Sequence, residues 1–113
     1  MTNTTETGND QIITISDEKY RVKCTERYDA TNTPVLEIFE EDGFPAGVIS
    51  ICLPNPVLLP LEENETAICG DVPQEEVIRE LVRIGLVEDT GRIELAGYGS
   101  YPVVKVLNPP AKD

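Results

Sequence analysis

Histidine and tryptophan are both missing from the 113 residues. Without histidine, Ser–His and Cys–His pairs lack their general base, and imidazole metal sites lack their ligand. Cysteine occurs three times, at Cys24, Cys52 and Cys69, with no CxxC spacing. That odd, scattered set does not make a zinc site or a dithiol redox pair and reads as buried thiols in a reducing compartment. Neither GxGxxG nor GxxxxGK[ST] is present, so the phosphate-cradling loops are excluded. No apolar run approaches the length needed to span a bilayer, and the first ten residues, MTNTTETGND, have neither the basic nor the apolar part of a secretion signal. A cytoplasmic protein is expected, with no membrane association, no cofactor and no metal.

Aromatics are scarce, so the core has to be built from Ile, Val and Leu, enough for one domain at this length. Residues 1–10 read as a disordered tail, 11–107 as the domain and 108–113 as a frayed end. Ile12, Ile13 and Ile15 lead through Ser16, Asp17 and Glu18 into Tyr20, Val22 and Cys24 at period two, with Lys19, Arg21 and Lys23 between them. This pattern predicts a β-hairpin with one buried and one solvated face. A second hairpin is predicted from Val35, Leu36, Ile38 and Phe39, a turn of Glu40, Glu41, Asp42 and Gly43, and a return strand over 46–53. The three prolines within 54–60 predict an extended crossing.

One helix is expected from about 71–73, where Pro73 suits a first turn and Glu75 and Glu76 suit the positive end of the helix dipole. Val77, Ile78, Leu81, Val82 and Ile84 form its apolar stripe, and Gly85 falls where a left-handed cap is needed. Asp89, Thr90, Gly91 and Arg92 read as a turn, Ile93 and Leu95 alternate with polar residues, and 101–107 reads as a last strand. The expected fold is α+β: a mostly antiparallel sheet of about five or six strands with one covering helix.

Charge is the boldest feature. Twenty-one acidic residues face nine basic ones, a net charge of −12, and no Lys or Arg lies between Tyr28 and Ile78. Direct binding to nucleic acid or to an anionic membrane is disfavoured by repulsion, and a basic protein surface is favoured. The candidate partner-binding residues are Glu37, Glu40, Glu41, Asp42, Glu62, Glu63, Glu65, Glu75 and Glu76. Spaced carboxylates on a rigid scaffold can take the place of a phosphate backbone in a nucleic-acid-binding groove. The bland alternative is that the acid serves solubility and helix capping, on a structural or regulatory module that self-associates. Turn carboxylates of this kind are not anchored as a catalytic pair or a metal site, so no enzyme is expected. A monomer or weak homodimer is expected, because Pro34, Pro45 and Pro54 blunt possible edge strands.

The segment from Val48 onward carries VISICLP, Leu61 four residues before Glu65, and Ile68 before Asp71. Leu81-Val82, Gly85-Leu86-Val87, Thr90-Gly91-Arg92, Ala96-Gly97-Tyr98 and Tyr101-Pro102-Val103 follow. In these residues the chain resembles an uncharacterised domain-of-unknown-function family of small proteins from bacteria, phages and mobile elements. Ala96 departs from the Ser that such members carry there. The resemblance implies no activity and no functional residues. It implies a setting in which small acidic proteins inhibit host defence by contact, here a host protein that processes nucleic acid.

Overall fold

Two seams organise this chain, and each is closed by a different device. The computed structural model describes residues 11–29, 31–53, 61–62, 64–96 and 99–110. Residues 1–10, the crossing at 54–60 and the last three residues, on which the sequence also gave expectations, lie outside the described residues.

Strands β1 (Ile12–Ile15), β2 (Glu18–Arg27), β3 (Pro34–Glu40) and β4 (Pro45–Val48) form one antiparallel sheet in that order. Strands β5 (Ser50–Ile51), β6 (Glu65–Ile68), β7 (Val87–Ala96) and β8 (Gly99–Val106) form a second, in the order β5-β6-β8-β7. Among the described residues a single helix, α1 (Gln74–Arg83), precedes β7. The fold is therefore α+β and antiparallel. The expected single sheet of five or six strands is corrected to eight described strands in two sheets.

The local signals explain much of this. Ser16 and Asp17 form a two-residue loop with φ of 52° and 71°, both positive as a type I′ hairpin turn requires. Helix α1 ends in a Schellman cap: Leu86 N–H donates to Leu81 C=O and Gly85 N–H to Val82 C=O, with Gly85 at φ 78°. Between Asp89 and Ile93 the register with β8 shifts, with Gly91 at φ 76°. The sequence reads this stretch as a turn, but it is a bulge within one long strand. Thr90 Oγ1 donates to Val103 C=O at 2.7 Å and keeps the chain attached to β8.

The first seam is closed by backbone. The expected return strand over 46–53 breaks at buried Ile49, which pairs with both sheets: its N–H donates to Leu36 C=O, and its C=O accepts from Cys69 N–H, each at 2.9 Å. Buried Ser50 secures the corner, its hydroxyl accepting from Leu36 N–H and meeting Tyr28 Oη at 2.8 Å. That hydroxyl supplies an acceptor where the sheet offers Leu36 none.

The second seam, between β1 and β7, is closed by α1, which packs against both strands. Val77, Ile78 and Leu81 of the helix join Ile13, Ile15, Val22, Leu36, Ile38, Ile49, Ile68, Val87, Val104 and Val106 in the core. The polar edge of β1 is met by helix side chains. Thr14 N–H donates to Glu80 Oε1 at 2.8 Å, Ser16 N–H to Glu76 Oε1 at 3.1 Å, and Arg83 Nη2 donates to Ile12 C=O at 3.1 Å. Alternate residues of an edge strand expose their backbone groups on one side, and residues spaced along one helix face can reach them in turn.

The bidentate Arg83 guanidinium, then the Thr14 N–H, hold the Glu80 carboxyl at about 2, well below the usual 4.5. A carboxyl depressed in the fold stabilises fully above its unfolded value, and that contribution is lost as the pH falls through the folded one. Glu80→Ala is accordingly expected to lower the melting temperature at pH 7. The variant should also show a shallower loss of stability than the parent between pH 4.5 and 2, checked by thermal melts across that range.

Candidate functional site

Strand direction decides which acidic residues meet. Antiparallel pairing puts the β1–β2 turn and the β3–β4 turn at the same end of the first sheet, with Tyr20 opposite Glu40. The β3–β4 turn is held by Gly43 N–H donating to Glu40 C=O and Phe44 N–H to Asp42 Oδ1. The bond from Ser16 N–H to Glu76 brings the start of α1 to that end too. Glu40, Glu41, Asp42, Glu75 and Glu76 therefore gather there, joined by Asp17 and Glu18, which the sequence reading did not select. All but Glu76 are exposed. An open cleft of about 380 Å³ between the turns is lined by Glu18, Lys19, Tyr20, Glu40, Glu41 and Asp42.

Other candidates go elsewhere. Glu37 lies on β3 opposite Lys23, whose ammonium sits 5.1 Å from the centre of the Phe39 ring. Lys23 and Arg21, whose Nε donates to Glu41 C=O, cover the outer face of the first sheet and balance its acid locally. Glu62 lies at the far end. Its neighbour Asn64 accepts from Arg27 at the last position of β2, and the ten residues of β2 set the two ends roughly 30 Å apart. Glu63 lies outside the described residues.

Glu65 is corrected. It is buried on β6 and makes no exposed acidic surface. Arg92 Nη1 lies 3.0 Å from Glu65 Oε1, and Arg92 Nη2 lies 3.5 Å from Glu94 Oε2, with Glu94 only 1% exposed. Arg92 Nε, Arg92 Nη2 and Glu94 Oε1 have no hydrogen-bond partner among the described residues. This is a buried charge network tying β6 to β7.

Little else offers chemistry. Burial pushes the Cys24 thiol up to about 11, so it is not a thiolate at neutral pH. Among the described residues no three His, Cys, Asp or Glu side chains gather as a metal-ligand set, and no helix is long and apolar enough to cross a membrane. No family model, curated protein or solved structure matches the chain.

Removing Arg92 strands two carboxylates in a buried site. Arg92→Met is expected to cost about 3–5 kcal/mol of unfolding free energy. Adding Glu65→Gln and Glu94→Gln to that variant should recover a large part, as measured by chemical denaturation.

Proposed function

We propose that this chain is a binding module, not an enzyme, and that its acidic end engages a basic surface on a partner protein. The observation that carries the reading is the convergence of Asp17, Glu18, Glu40, Glu41, Asp42, Glu75 and Glu76 at one end of the first sheet. Two of the three elements there are tight turns, which fix the backbone that carries these carboxylates. In its finer form the module is an inhibitor carried by a phage or mobile element. Its carboxylates would take the place of phosphates in the groove of a host nucleic-acid-processing defence protein. Glu62 lies at the opposite end, so the surrogate surface is the compact acidic end alone. A self-associating module has less support, since two copies each carrying −12 repel one another.

The triple reversal Glu40→Lys, Glu41→Lys and Asp42→Lys tests the reading with tagged protein in bacterial lysate, eluted over a salt gradient. A basic, nucleic-acid-binding partner released by moderate salt is expected from the parent chain. The triple variant should fail to retain it, with the loss residing mainly in the association rate. A partner retained equally by both proteins, at the same salt, would contradict the reading.

A further inference from the structure

We draw no further inference here: the strongest candidate, the apolar patch that exposed Ile93 and Leu95 make on the α1 face of β7, is an unpartnered sheet face, and nothing in the structure shows what covers it.

Discussion

The structure depends on how the open edge of β1 is closed. The eight described strands lie in two sheets and leave two seams, and among the described residues the one at Ile49 is joined by continuous backbone. At the other, α1 stands in for a strand: Glu76 and Glu80 accept from β1 amides, and Arg83 donates to a β1 carbonyl. An ionised carboxylate is an acceptor only, which suits an outward N–H, and a guanidinium is a donor only, which suits an outward C=O. The apolar stripe of the helix then completes the core, so the same ten residues cover a polar edge and an apolar layer.

The negative charge of this protein therefore divides by task. Glu80 and Glu76 are committed to the β1 seam, and Glu65 and Glu94 to Arg92. Glu37 faces Lys23 across a strand pair. What remains free at one end is a smaller set on the two turns, with Glu75 at the helix start. A count of charges overstates the surface on offer to a partner, and the compact acidic end is the part in which most carboxylates stay exposed, with Asp42 also holding its turn.

Short-range features were legible in the residues. The first hairpin, the turn at Glu41, Asp42 and Gly43, and the helix with its Gly85 cap follow from turn chemistry and periodicity within a few positions. The division into two sheets was not, because VISIC reads as one β-branched strand and nothing local marks Ile49 as the residue that changes sheets. At β7 the alternation of Ile93 and Leu95 with polar residues is present. Ile93 and Leu95 are exposed and Glu94 is buried beside Arg92 of the same strand, which also pairs with Glu65 from β6, a sequence-distant partner. Asp17 and Glu18 joined the acidic end for a similar reason, since their proximity to Glu40 comes from pairing between β2 and β3.

Hydrogen exchange at Thr14 and Ser16 tests most directly whether helix carboxylates close the β1 edge. Amides with stable acceptors exchange only on local or global opening, whereas bare edge amides exchange freely. The account predicts that both amides are protected in the parent chain. It also predicts that Glu80→Ala releases Thr14 and that Glu76→Ala releases Ser16, while amides within the β2–β3 ladder stay protected. Free exchange of Thr14 and Ser16 in the parent chain would contradict it, because the seam would then be held by apolar packing alone and those two carboxylates would rejoin the free acid of the surface.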